Sequence, residues 1–377
     1  MKAWSELKWY GKIWRIVWIL LTLFFVVALS YVIYFFSTYS RVPDWQKLEI
    51  DEPVANTSTG HSLNLVNTNT VALNKQYKAL SYNIGFGAYT QDYSFFMDGG
   101  TKSWAASTKS VVDDVMNVGR FLNNVNADFV SVQEVDSDAD RSYHVDQTTI
   151  IRNFLDDYTN VSAVIYNSKF LPWPPLEPHG ASVSNIMTLS KYKPTSSLRR
   201  QLPIDQGLTK CLDLDRCYSK TRYSVSDGHE LVYFTTHLSA YSKEPDTLNN
   251  QIQQLVSDMQ EEYKKGNYCI CGGDFNNQIV FDAEKYFPDK YFNTTEFPTE
   301  YLDNTNIRLV APFNPSNPVG SCRDAGEPMS STTKVCNIDG FIVSSNVEVV
   351  QTDVIDTNFV YSDHNPVYMN FKLVSGK

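Results

Sequence analysis

The first pattern along the chain is an unbroken apolar run. Residues 16–40, IVWILLTLFFVVALSYVIYFFSTYS, are 25 consecutive uncharged positions between Arg15 and Arg41. At about 1.5 Å per helical residue, roughly 20 apolar positions reach across a hydrocarbon core about 30 Å thick. A secretory leader has a shorter apolar core, about 7–15 residues, and ends in small residues. Here the far end is Tyr31, Tyr34, Phe35, Phe36 and Tyr39, bulky side chains suited to a membrane interface. The pattern predicts a tail over 1–15 and an uncleaved transmembrane helix over 16–40.

Residues 41–76 are polar and rich in turn formers (EPVANTSTGHSLNLVNTNT) and read as a linker with room for one early strand. Residues 77–377 read as one domain. Short apolar runs predict strands at 78–84, 128–135, 161–167, 184–190, 197–203, 221–226, 230–238, 267–274, 338–344, 346–352 and 366–373. Helical spacing of Val111, Val112, Val115, Met116, Phe121, Leu122 and Val125 predicts a helix over 108–125, and another follows near 146–157. Over 246–265, Leu248, Ile252, Leu255, Met259 and Tyr263 share one face, with Asp246 as N-cap and Gly266 as stop. Strands outnumber helices, yet helices are interspersed among them. That favours an α/β fold of two packed sheets with helices on the outer faces.

Charge sharpens the topology. The chain carries −10 overall, but its first 40 residues hold Lys2, Lys8, Lys12 and Arg15 against Glu6 alone. The rest, with 28 basic against 41 acidic residues, carries −13. Basic residues before the apolar run and Asp44, Glu49, Asp51 and Glu52 after it predict a single-pass protein with a cytoplasmic N-terminus and an extracellular domain. So acidic a body lacks the broad basic footprint of a protein that grips nucleic acid by its phosphates. It leaves room for a metal-dependent nuclease, because bound cations offset local acidity.

Six cysteines in 377 residues do not make a disulfide scaffold. Cys269 and Cys271 share one face of an apolar strand and read as buried thiols. Cys211–Cys217 and Cys322–Cys336 are spaced to close short loops, which spacing alone does not decide. Asn56, Asn160 and Asn293 begin Asn-x-Ser/Thr triplets, glycosylated only along a eukaryotic secretory route.

Polar residues gather where strands should end: Asn83 in SYNIGFG, Glu134 in VQEVD, His237 in TTHLSAYS, Asp274 and Asn276 in GGDFNN, and Asp363 and His364 in YSDHNPV. Asp339 sits inside the apolar strand NIDGFIV. Singly each has an ordinary explanation: a turn, a solvated edge, a core histidine, a loop closed by proline. Together they have the composition of a hard-metal phosphodiesterase site. Magnesium takes oxygen ligands and keeps waters; attack on phosphorus needs charge withdrawn, a water aligned and the oxyanion held. Two histidines can divide the last two tasks, and a buried aspartate can fix a histidine tautomer.

The order of these motifs resembles the endonuclease/exonuclease/phosphatase superfamily, which includes pancreatic-type deoxyribonucleases, apurinic endonucleases, inositol polyphosphate 5-phosphatases and neutral sphingomyelinases. The resemblance runs from about Leu80 to Phe371, and GDFN and SDHNPV are its most specific parts. It implies a four-layer α/β sandwich, two mainly antiparallel sheets flanked by helices, behind the one transmembrane helix. It also implies magnesium, with manganese as an alternative, held at Asn83, Glu134 and Asp363, with Glu134 the direct ligand. His237 would contact phosphate as proton donor or electrostatic clamp, Asp274 would position the water, and Asn276 would hold a phosphate oxygen. Asp339 would orient His364, the general base or a second phosphate-binding histidine.

Outside the shared pattern, Arg141, Tyr143 and His144 in DRSYHVDQ are substrate-contact candidates, against an ordered surface loop as the alternative. Asn185 ends PHGASVSN, a stretch placed where members vary a substrate-facing loop. MDGGTKSW (97–104) is a second insertion, and LDLDRC carries charges without a motif. The expected activity is hydrolysis of a phosphodiester, either a phospholipid headgroup or nucleic acid. The alternatives are a phosphomonoesterase and a non-catalytic surface binding module. The histidine segment is less like the apurinic endonucleases, which argues against DNA repair. No obligate protein partner is implied.

Overall fold

The computed structural model describes residues 4–53, 69–207, 214–240 and 245–375. The chain divides into two units, Met1–Arg41 and Val42–Lys377. The first is dominated by α1 (Trp9–Thr38), 30 residues with mean hydropathy 2.7 in its most apolar window and no buried side chain. Its length and composition suit a membrane span, and equally a signal sequence. It begins before residue 16 because Lys12 and Arg15 interrupt the apolar run without breaking a helix.

The second unit begins with β1 (Gln46–Lys47), β2 (Thr70–Val71) and β3 (Gln76–Asn83), then α2 (Thr108–Val125), β4 (Phe129–Ala139) and α3 (Gln147–Phe154). Next come β5 (Thr159–Leu171), β6 (Gly180–Ser190), β7 (Ser196–Gln201), β8 (Cys217–Val225) and β9 (Glu230–His237). The last part holds α4 (Pro245–Lys264), β10 (Tyr268–Asp274), β11 (Ile307–Val310), β12 (Cys322–Arg323), β13 (Val335–Cys336), β14 (Asp339–Ser344), β15 (Val347–Val354) and β16 (Val367–Leu373). One sheet runs β1-β7-β8-β9-β10-β14-β11 with β2 beside β8; the other runs β15-β16-β3-β4-β6-β5. Most neighbours are antiparallel; β3/β4, β9/β10 and β2/β8 are parallel.

Strand parity explains the layers. Tyr77, Ala79 and Phe129 meet Tyr233, Ile270 and Phe341 between the sheets. On the outer faces, Leu80, Tyr82 and Val130 pack with Val111, Val115, Val118 and Leu122 of α2, while Val232, Cys269 and Cys271 pack with Ile252, Leu255 and Met259 of α4. The result is the four-layer sandwich. Each large ring removed from water contributes roughly 1.5–3 kcal/mol. Ser107 opens α2 with a capping box to Ser110, and Asn126 closes it in left-handed backbone.

Of the expected linker over 41–76, the described residues 42–53 and 69–76 belong to the second unit and pair with its strands. β1 pairs with β7, β2 pairs with β8, Leu48 is buried, and Arg199 donates to the carbonyls of Val42 and Pro43. Asn160 is buried and donates to Asp51 Oδ2 at 2.9 Å, so it is spent on the fold rather than offered to a glycan. Asn56 and Cys211 lie outside the described residues. Cys217, Cys269, Cys271, Cys322 and Cys336 are buried free thiols.

Candidate active site

Between the sheets, the apolar interior gives way towards one end to polar residues of the same parity. On β3 the inner face runs Tyr77, Ala79, Ser81, Asn83; on β10 it runs Tyr268, Ile270, Gly272, Asp274. Beneath the site, Ser131 Oγ lies 3.0 Å from Thr235 Oγ1, which lies 2.7 Å from Thr188 Oγ1, so these buried hydroxyls satisfy one another. Gly272 lets the sheets close: a Cβ there would stand 2.9 Å from Ser131 Oγ.

Register then assembles the site. His237, Asp274 and Asp339 are successive Cα partners across β9, β10 and β14. From the opposite sheet, Asn83 Nδ2 donates to Asp274 Oδ2 at 3.0 Å and to Glu134 Oε1 at 3.1 Å, while its Oδ1 accepts from the Gly85 N–H. Asn83 therefore clamps two carboxylates by donation. Glu134 has the parity of the outer-facing Val130 and Val132. A bulge between Val132 and Val135, with Glu134 at φ 56°, swings its carboxylate round to the cleft.

His364 Nδ1 lies 2.8 Å from Asp339 Oδ2, which also accepts from Ser321 Oγ at 2.7 Å. Its Nε2 is 3.7 Å from Asp274 Oδ2, and His237 Nε2 is 3.4 Å from the same oxygen. The two imidazoles thus flank one carboxylate. Their electrostatics differ. Burial pulls His364 down, but Asp339, with Cys322, Asp363 and Asp274, outweighs it and holds His364 well above its ordinary value. Burial, then the charges of Arg216 and His364, push His237 well below. Burial and the nearby Asp339 raise Asp274 to about 7.

Asn276, at φ 51°, donates its side-chain amide to Leu238 O and its N–H to Asp274 Oδ1. Asp363 accepts from Ser362 Oγ at 3.2 Å, and burial, with Glu134 opposing its charge, raises it to about 6. Two carboxylates repelling each other at the edge of a buried site form an oxygen donor set that fits a hard divalent cation. Two further groups have ligand atoms within 4.8 Å of one another: Asp274, Asp339 and His364, and Cys322, Asp363 and His364. Glu134 and Asp363 are the residues that would hold the ion; Asn83, expected as a ligand, turns its Oδ1 to the Gly85 N–H and its Nδ2 to Glu134, and so positions a carboxylate instead.

Glu134, His237, Asp274, Asn276, Asp363 and His364 line a cavity of about 730 Å³, with Asn83, Asp339 and Ser321 held behind them. The remaining sequence candidates divide. Arg141 is buried and lines the cavity, held bidentately by Asp136 at 2.9 and 2.8 Å. Tyr143 and His144 do not line it: both pass through left-handed backbone, Tyr143 packs on Trp104, and exposed His144 pairs with Asp138 and Asp140. Asn185 also stands back, donating to Val135 O and Ser137 Oγ beside the bulge, while its neighbour Ser184 lines the cavity. Sequence reasoning missed Ser321 and Arg323, and held His179 and Arg216 only as parts of PHGASVSN and LDLDRC, without naming either as a site residue. Arg216 Nη1 donates to His237 O at 3.5 Å, and Arg323 donates to the carbonyls of Thr90 and Asp324.

The sequence profile of the Endonuclease/Exonuclease/phosphatase family matches residues 80–364. Comparison with curated proteins returns no match. Among solved structures, the chain is similar to an endonuclease/exonuclease/phosphatase from Beutenbergia cavernae DSM 12333, with 15% identity, a TM-score of 0.55, and 80% of this chain and 72% of that one covered. It is similar to one from Bacteroides vulgatus at 14% identity and TM-score 0.50, covering 79% and 99% of the two chains. It is also similar to ANGEL2, a 2′,3′-cyclic phosphatase, at 14% identity and TM-score 0.51, covering 79% and 96%. At these identities the structural likeness speaks to the fold.

Proposed function

This chain belongs to the endonuclease/exonuclease/phosphatase family of phosphoester hydrolases, and from that premise we propose that it is a membrane-tethered, outward-facing, magnesium-dependent phosphodiesterase. One observation carries the reading: two imidazoles of opposite electrostatic bias converge on the Asp274 carboxylate, 3.4 and 3.7 Å away, at the wall of a cavity. A binding module has no need of that arrangement.

In this mechanism Asp274 accepts a hydrogen bond from the attacking water and aligns it. His237 and His364 present Nε2 to the phosphoryl oxygens, His364 being fixed through Nδ1 by Asp339 and, behind it, Ser321. Asn83 holds Glu134 and Asp274 at a fixed separation across the sheets. Magnesium bound at Glu134 and Asp363, or manganese in its place, would supply Lewis acidity that draws charge from the phosphoryl oxygens. Basic residues before the apolar run of 16–40 and acidic residues after it support the outward orientation.

The test uses full-length protein in detergent micelles beside His364→Ala, with magnesium or EDTA. Substrates are plasmid DNA, RNA and mixed phospholipid vesicles. Metal-dependent hydrolysis of one substrate, lost in the variant, is the expected result. Inactivity on all three with no magnesium binding sinks the enzyme reading in favour of a binding module.

A further inference from the structure

The cavity has a wall that the phosphoryl chemistry leaves unused. It is built by Phe86, Arg141, Tyr166, His179 and Ser184, all buried. His179 is only 6% exposed, and its Nδ1 has no hydrogen-bond partner; Ser184, 2% exposed, likewise has an unpartnered Oγ. Buried polar atoms of that kind are costly unless something satisfies them.

The position of His179 is fixed by its surroundings. Its N–H donates to Trp173 O, and its ring lies 6.2 Å from that of Phe96 and 6.5 Å from that of Tyr166. Gly180 follows at φ 77°, where a Cβ would collide with Asp140, and the next N–H, of Ala181, donates to Asp140 Oδ2 at 2.7 Å. Burial, then the charge of Arg141, lowers His179 to about 3, so its ring is neutral at physiological pH. Arg141 itself stacks 3.9 Å over the Phe86 ring and is neutralised by Asp136.

This wall offers a second phosphate no unspent cation: its one guanidinium is already bidentate with a carboxylate. It offers a quaternary ammonium headgroup no net negative charge and would leave His179 and Ser184 unsatisfied. Aromatic faces beside neutral donors and acceptors suit a flat, uncharged group with a hydrogen-bonding edge. Resting on the phosphodiesterase reading, we propose that His179 and Ser184 form a specificity subsite for the nucleobase of a nucleotide phosphodiester, with the aromatic side chains packing against its plane.

The test compares two diesters that share a 4-nitrophenyl leaving group: thymidine 5′-(4-nitrophenyl phosphate), which carries a base, and methyl 4-nitrophenyl phosphate, which does not. Full-length protein in micelles is assayed with magnesium. In His179→Ala the ratio of kcat/KM for the two falls by about tenfold or more, chiefly through KM, as expected when a site loses a group built to hydrogen-bond the substrate. Ser184→Ala shifts the ratio the same way, and His179→Gln recovers part of it. An unchanged ratio overturns the subsite. So does phosphatidylcholine vesicle hydrolysis that depends on His179 more than nucleoside diester hydrolysis does. If the wild-type protein turns over neither diester, the DNA, RNA and vesicle assays decide the phosphodiesterase reading, and calorimetry decides the subsite separately. Thymidine 5′-monophosphate binding about tenfold or more tighter than ribose 5-phosphate, with the preference lost in His179→Ala, supports it; equal affinities overturn it.

Discussion

His237 and Asp274 are direct Cα partners on parallel strands, and their side chains approach to 3.4 Å. Because both strands end there, register alone places an imidazole beside a carboxylate, with no loop geometry required. Asp339 continues the same row on the antiparallel side.

The donor from the opposite sheet should matter as much. Asn83→Ala removes hydrogen bonds to two carboxylates, each worth about 1.5–3 kcal/mol to a charged group. Losing one such interaction in the transition state predicts a fall in kcat of roughly ten- to hundredfold. Single-turnover kinetics beside a thermal melt check it; a large Tm loss with unchanged kcat would contradict the clamp.

Asp339 is the largest influence raising His364 against burial. Asp339→Asn keeps the shape and removes the charge, so the His364 titration should move to lower pH. NMR titration of the His364 ring in variant and wild type measures the shift directly. A shift upward would mean that another carboxylate holds the proton.

Asp114 gives a stability prediction away from the chemistry. It lies on α2 with Oδ2 unpartnered, and burial raises it to about 8. Its unfolded value is about 3.9, so between these limits the folded state binds the extra proton. Stability contributed at low pH is therefore lost as pH rises from about 4 through about 8. Asp114→Asn should flatten that slope, seen as a higher Tm than wild type at pH 9 and little difference at pH 4.

Cys322 and Cys336 are Cα partners across the β12–β13 ribbon, and Cys322 also bridges to His364. Incubation with excess oxidised glutathione should transfer its disulfide to this pair, releasing two reduced glutathiones. Peptide mapping without reduction should find that link and none between Cys269 and Cys271, which sit on one strand. Absence of the first link would show that the ribbon holds the sulfurs apart.

Much of this was legible beforehand. The alternation in KALSYNI and YCICGGDF and the spacing along α2 and α4 identify the layers, because periodicity reports which face meets the core. The motif residues are legible where they end regular strands. Glu134 is legible as a residue and not as a geometry, since a bulge overturns its parity. Tyr143 and His144 look like site residues by proximity in sequence, yet a left-handed turn sends only Arg141 inward. Ser321 carries no local signal, and His179 only its place in PHGASVSN, a stretch in which Asn185 looks the better candidate. They reach the cleft through the Cys322–His364 bridge and the Gly180 turn, contacts set by the rest of the fold.

The clamp from Asn83 to Asp274 joins one sheet to the other, so the groups of the site are divided between two slabs that meet through packed aromatic and aliphatic side chains and a few hydroxyls. Their spacing works as a vernier on the interior. A cavity opened at Phe129, remote from the cleft, would let the slabs slide by a fraction of an ångström, and turnover would record the slip long before the protein unfolded.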